Sequence, residues 1–188
     1  MEFSAVLQAR TSCRAYTADP VAPEVVTAII EAGCAAPSPF NQQPWSFIVV
    51  TDPQRIAAVA AHSAAVRDQL AKDSGQGWVA KYDPAFVGQA PVLIAVAANP
   101  KKIGLGAFLG DTDAHVKAAS ACIQNMLLAV ADRGLGSLWF TMYDRAEMAA
   151  MLGVAEGLEL VGLLPVGVPA APGKQPPRKP VADLTTYL

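Results

Sequence analysis

The stretch "ARTSCRAYTADPVAPEVVTAIIEAGCAAPSPFNQQPWSFIVV", residues 9–50, carries most of what decides the fold. At its centre Pro23 suits a first helical position. Val25, Val26, Ile29, Ile30 and Gly33 then form one apolar stripe, opposite Glu24, Thr27 and Glu31, so a helix should start at Pro23. Irregular segments flank this helix. Upstream, "RTSCR" (10–14) gathers Arg10, Arg14, Thr11 and Ser12 just after a short helix over 2–10. Downstream, "APSPFNQQPW" (36–45) sets Pro37, Pro39 and Pro44 around Ser38, Asn41, Gln42 and Gln43. Proline lacks the backbone donor and fixes φ, so this piece is neither helix interior nor central strand. It runs straight into Trp45–Thr51, which reads as a buried strand.

Beyond residue 50, Asp52-Pro53 should cap and open another helix. Residues 62–90 give no firm boundary beyond a polar break at 72–77. "PVLIAVAA" (91–98) reads as a second buried strand. A glycine-rich loop at 104–110 precedes a helix capped by Asp111 or Thr112, expected to be the longest, with Val116, Ala119, Ile123, Met126, Leu127 and Val130 on one face and a stop at Arg133-Gly134. "LGSLWFTMY" (135–143) reads as a third strand. Asp144 with Glu147 makes a capping box for a short helix, and 158–168 is a fourth strand. From 172 to 188 periodicity vanishes and prolines cluster, which describes an extended arm. Irregular interleaving of strands and helices predicts one layered α+β domain over 1–188.

Composition narrows the function. Hydrophobic residues make up 53% of 188, with a mean hydropathy of +0.31, so apolar surface beyond an ordinary core is expected to meet another subunit. No apolar run reaches the ~20 residues of a membrane span, and the N-terminus lacks the pattern of a secretory signal. A net charge of −2 argues against nucleic-acid binding. Cys13, Cys34 and Cys122 are odd in number and far apart, which suits a reducing cytoplasm. With His62 and His115 the only histidines, no metal-ligand set is spaced for zinc. His115 and Cys122 are expected to pack rather than to ligate.

Several catalytic motifs fail. Gly104, Gly106 and Gly110 have the wrong spacing for a dinucleotide fingerprint, and no strand end precedes them. Ser137 is not in a nucleophile elbow. Cys13 lies between two arginines but has no histidine base nearby in sequence, so it reads as a packed thiol. What remains is anion chemistry. Arginine forks match phosphate oxygens, hydroxyls complete the shell, and a second basic segment lies at 174–179. An anion site together with apolar groups near the rigid proline loop describes a flavin mononucleotide.

The residues 9–50, "NMLLAVADRGLGSLWF" (125–140) and "PPRKPVADL" (176–184) resemble the flavin-dependent nitroreductase family, with a poor match over 62–112. The resemblance implies a central mixed, mainly antiparallel sheet flanked by helices, in a homodimer that exchanges its C-terminal arm (172–188) and holds FMN at each interface. It implies that Arg10, Thr11, Ser12 and Arg178 serve the phosphate side and Arg14 the N1–O2 edge of the ring. Pro37, Ser38, Pro39 and Asn41 would come from the other chain, and Trp139, Thr141 and Met142 would lie near N5. Thr141-Met142 replaces a glycine or Glu-Gly of many relatives, and Pro176 stands where some have lysine. Phe40 and Phe140, with Trp139, are candidates to shape a substrate pocket. The implied activity is transfer of hydride from NADH or NADPH through FMN to a flat small-molecule acceptor such as a nitroaromatic or quinone. No side chain acts as acid or nucleophile, since the flavin carries the chemistry. The alternatives are a flavin-fragmenting or dehalogenating enzyme on the same fold, or a protein that stores or senses FMN.

Overall fold

The computed structural model describes residues 1–188. Two helices come from the opening stretch: α1 (Phe3–Ala9) and α2 (Pro23–Cys34), the latter with Pro23 in its first turn as expected. Strand β1 (Trp45–Val50) follows the proline loop, and Asp52 caps α3 (Pro53–Ser74) by accepting a 2.9 Å hydrogen bond from the Gln54 N–H. Gly75 ends α3 in the left-handed region, inside the polar break. A short α4 (Gly77–Lys81) and a 3₁₀ turn (Pro84–Gln89) lead to β2 (Val92–Ala98). The glycine segment folds into a single helical turn, α5 (Gly106–Leu109), before α6 (Ala114–Asp132). The remaining elements are β3 (Gly136–Ser137), α7 (Arg145–Leu152) and β4 (Glu159–Gly167).

The strands form one antiparallel sheet in the order β1-β2-β4-β3, and the parallel contribution is a bridge between Ser12 and Ser137. Every residue of β2 is buried because helices cover both faces. Val92, Ile94, Val96 and Ala98 point to α2 and α6, where Ile29, Ile123 and Met126 complete one cluster. Leu93 and Ala95 point the other way, to Ile56 and Val59 of α3, Phe86, Phe140 and Met148. The two faces alternate along the strand as a period of two requires. Gly33 brings α2 against α6, since a Cβ there would meet Met126 and the Cys122 thiol. Burial raises the Cys122 pKa to about 12, so it remains a neutral packing group as expected.

Four expectations need correction. The longest helix is α3, with 22 residues against 19 in α6; its weak amphipathicity hid its length. Asp113 occupies the cap position of α6 without a side-chain bond, because the Asp111 and Asp113 carboxylates bind Lys117 instead, at 2.7 and 3.2 Å. Strand β1 lies at the sheet edge and is half-buried rather than fully buried. The stretch 135–143 supplies only two strand residues plus an isolated bridge from Phe140 to Leu163. Its pairing lapses at Leu138 and Trp139, opposite Pro165 and Leu164, where proline has no N–H to donate. There the Trp139 indole donates to the Val161 carbonyl (3.2 Å) and lies over Gly162, which has no side chain to obstruct it.

Candidate functional site

The segment after α1 is held as an extra edge of the sheet. The Cys13 N–H donates to the Ser137 carbonyl (3.0 Å), the Thr17 N–H to the Val168 carbonyl (2.9 Å) and the Ala170 N–H to the Ala15 carbonyl (3.0 Å). Tyr16 pins it from below, its phenol donating to the Cys13 and Pro165 carbonyls at 3.1 and 3.2 Å. Burial holds that phenol far above its ordinary pKa, so it stays a neutral donor. Around the buried Tyr16, Ser12 and Arg14 are exposed and Arg10 is half-buried.

Above this edge is a cleft of about 400 Å³, lined by residues 9–15, 134–137 and 169–174 together with Leu127, Val130 and Ala131 of α6. Arg10, Thr11, Ser12 and Arg14 all line it, as does Lys174. No carboxylate lies within salt-bridge distance of any of the three cations, although the chain has 16 acidic residues against 14 Lys and Arg. The Ser137 hydroxyl, 4% exposed, also lines the cleft and has no hydrogen-bond partner. A buried hydroxyl left without a partner costs about 1–3 kcal/mol, so an acceptor or donor from a ligand would be favoured there. Two glycines let the walls of the cleft approach closely: a Cβ on Gly136 would come within 2.6 Å of the Cys13 thiol, and one on Gly173 would collide with Thr11. Cations without counter-charge, an orphaned hydroxyl and a groove of this volume fit a mononucleotide with its phosphate.

The other predicted site residues lie elsewhere. Trp45 is level with Ala98 and Glu159 at one end of the sheet, whereas Gly136 pairs with Gly167 at the other. Along nine-residue β4 the two ends are roughly 26 Å apart. The loop 36–44 leads into Trp45, so Pro37, Ser38, Pro39, Phe40 and Asn41 stand at the far end from the cleft of their own chain. The loop is internally braced. The Gln43 N–H donates to Ser38 Oγ (2.9 Å), and the Gln43 amide donates to Asn41 Oδ1 (3.3 Å). Phe40, Asn41 and Gln43 have φ of 50°, 53° and 45°, the left-handed region that costs non-glycine residues energy. The 102–110 segment is clamped to it. Gln42 Oε1 accepts from the Gly104 N–H (2.9 Å), and Lys102 Nζ donates to the Gln43 carbonyl (3.3 Å).

Trp139 is partly exposed, Thr141 exposed and Met142 half-buried, but none lines the cleft. Phe140 corrects its expectation: it is 1% exposed and packs edge-on against Phe86 at 5.9 Å, so its ring serves the core and not a substrate pocket. Arg178 lies on the exposed arm, outside the cleft; the arm's base is tied to α1 by Gln175, whose amide donates to the Leu7, Gln8 and Arg10 carbonyls. Of the basic segment 174–179 offered to the anion, Lys174 is the residue that lines the cleft; Ser137 is a polar cleft residue that sequence reasoning did not assign. His115 bonds Glu159 (3.2 Å) on the helix α6 side of the sheet and belongs to no ligand cluster.

The fold and cleft together define an α+β protein of the nitroreductase type. The nitroreductase family model matches residues 7–168, and the chain belongs to that family. A putative NADH dehydrogenase/NAD(P)H nitroreductase of Archaeoglobus fulgidus is 30% identical over 168 residues, covering 87% of this chain and 83% of the relative. A 5,6-dimethylbenzimidazole synthase of Rhodospirillum rubrum is also 30% identical, over 175 residues, covering 89% and 82%. Among solved structures, a putative nitroreductase in complex with FMN from Desulfovibrio desulfuricans superposes with a TM-score of 0.77 at 27% identity, covering 100% of this chain and 97% of that one. No helix here is long and apolar enough to cross a membrane.

Proposed function

We propose that this chain is an FMN-dependent oxidoreductase that works as a homodimer and passes electrons from NADH or NADPH to flat acceptors such as nitroaromatics or quinones. The observation that carries the proposal is the single cleft in which Arg10, Arg14 and Lys174 lack counter-charges and Ser137 lacks a partner. FMN bound there would supply the hydride and electron transfer, which explains why no acid, base or nucleophile needs to converge on the cleft.

The chain's own residues then hold and orient. Arg10 and Lys174 offer charge-assisted hydrogen bonds to a phosphate, with Thr11 and Ser12 as neutral donors, and Arg178 can join them from the arm. Arg14 would supply a positive charge to the ring edge that gathers negative charge on reduction. Pro37, Ser38, Pro39 and Asn41 stand about a sheet's length from their own cleft, so they serve a site only if a second copy presents them. The exposure of Phe40 (74%), Phe108 (86%) and Leu109 (76%) at that corner suits burial against such a copy and a role in walling off water from the ring. Trp139, Thr141 and Met142 would line the ring's far side.

The test is a spectrum of the purified protein followed by anaerobic addition of each nicotinamide nucleotide. A yellow protein bleached by NADH or NADPH supports the reading. A colourless protein that cannot be reconstituted with FMN overturns it, and a yellow but inert one indicates storage or sensing. The relative named 5,6-dimethylbenzimidazole synthase supports a second reading, in which the flavin itself is consumed. Oxygen-dependent loss of the flavin spectrum after reduction would select it, and halide release from halogenated aromatics would select dehalogenation.

A further inference from the structure

A second pocket, of about 490 Å³, adjoins the cleft and shares Arg14 with it. Its other lining residues are Lys81, Tyr82, Asp83, Phe86 and Gln89, from the middle segment that resembles the family least. Two of the polar groups are already committed. Asp83 Oδ1 accepts from the Ala85 N–H (2.9 Å), capping the 84–89 turn, and Gln89 Oε1 accepts from the Tyr16 N–H (3.3 Å). Arg14 and Lys81 lack counter-charges: neither has a carboxylate within salt-bridge distance, Asp83 included, and Arg14 makes only a long hydrogen bond to the Ser12 carbonyl (3.4 Å).

The aromatic wall is rigid. Tyr82 and Phe86 meet edge to face at 6.2 Å and 87°, and Phe86 in turn abuts Phe140 of the core. The Tyr82 carbonyl accepts from Arg67 Nη1 at 2.7 Å, fixing this turn to α3. Two permanent cations over a fixed aromatic surface match a flat molecule that ends in an acid group. A neutral quinone or nitroarene would use the wall and leave Lys81 unemployed.

We propose that this pocket selects acceptors bearing a carboxylate, with Lys81 as the acid's receptor and Tyr82 and Phe86 as the seat of its ring. The proposal rests on the reductase reading for the acceptor's role, but the pocket's preference can be measured without turnover. The experiment is calorimetric titration of the FMN-loaded protein with benzoate and with benzamide, which differ chiefly in charge. Benzoate should bind about ten-fold more tightly, the worth of one charge-assisted contact. The gap should narrow with added salt, vanish in Lys81→Met and return in Lys81→Arg, with benzamide affinity and FMN content unchanged. In turnover, kcat/KM for 4-nitrobenzoate should exceed that for nitrobenzene by a similar factor, and Lys81→Met should remove the advantage through KM.

Equal affinity for the two probes in the natural protein overturns the proposal, as does a gap that survives Lys81→Met. Loss of FMN from Lys81→Met would assign Lys81 to the cofactor and overturn it as well. If neither nucleotide bleaches the flavin while the benzoate preference holds, the reductase reading fails and the pocket's ligand class stands.

Discussion

The cleft at residues 10–14 and the corner at 36–44 terminate opposite ends of one sheet, and they are built in opposite ways. The cleft is assembled from distant parts of the chain, residues 9–15, 134–137 and 169–174, and leaves its charged groups unsatisfied. The corner is local. Ser38, Asn41 and Gln43 satisfy one another, the backbone is left-handed at Phe40, Asn41 and Gln43, and Phe40 faces solvent. One is a receptor shaped by the fold; the other is a stiff tool held outward. Such a pair makes sense when the receptor of one copy meets the tool of the next, a relation a two-fold axis provides twice.

The sharpest separation of core from site is Phe140→Ala. It should cost about 3–5 kcal/mol of stability by denaturant unfolding; a small loss together with altered acceptor selectivity would return Phe140 to the pocket. Arg10→Ala should weaken FMN binding by about 1.5–3 kcal/mol, read by flavin fluorescence, with little change in the unfolding midpoint. Unchanged retention would break the assignment of the cleft. The comparison itself is tested by mixing. In the proposed homodimer, Arg10→Ala and Asn41→Gly chains, each poor at holding FMN, should regain about a quarter of the sites after co-refolding, because half the dimers would be mixed and each of these would have one intact site. No recovery would mean that both residues serve one chain.

Smaller effects probe each region's own bracing. Ser38→Ala removes the acceptor for the Gln43 N–H and should cost about 0.5–1.5 kcal/mol, measured as stability and as FMN affinity together. An affinity loss without a stability loss would make Ser38 a direct ligand. Least of all is the clamp of the N-terminal ammonium on Asp132, beside the cleft's helix wall. That ammonium holds the Asp132 carboxyl below its ordinary pKa, so its stabilisation is present above the unfolded carboxylate range and lost as pH falls through the folded value. Asp132→Asn should lower stability slightly at neutral pH and leave it nearly unchanged in strong acid, which flattens the acid limb.

Local signals were legible in the chain. Pro23, Asp52 and Asp144 mark helix starts because proline and caps act on their own neighbours; the Glu147 N–H does donate to Asp144 Oδ1, at 2.9 Å. The Arg10–Arg14 half of the cleft was legible for the same reason: five consecutive residues carry it. The basic segment 174–179 was legible by its charge, but which of its lysines enters the cleft was not. Ser137 was not legible, since its neighbourhood depends on a parallel bridge between residues 125 positions apart. Lys81 was hidden within a segment without periodicity. The truncated third strand was misread because hydrophobic pattern reports burial, and Leu138 and Phe140 are buried without being paired as a continuous strand.

Gln175 ties the end of α1 to the root of the arm, joining residues 167 apart in the chain. During synthesis the first helix therefore leaves the ribosome long before the group that satisfies its last carbonyls exists. The wall of the cleft that ends at Lys174 is likewise made long after the wall at residues 9–15. Arg10 and Arg14 are thus synthesised long before the lysine that shares their cleft, and the receptor is complete only when residues 169–174 have joined them.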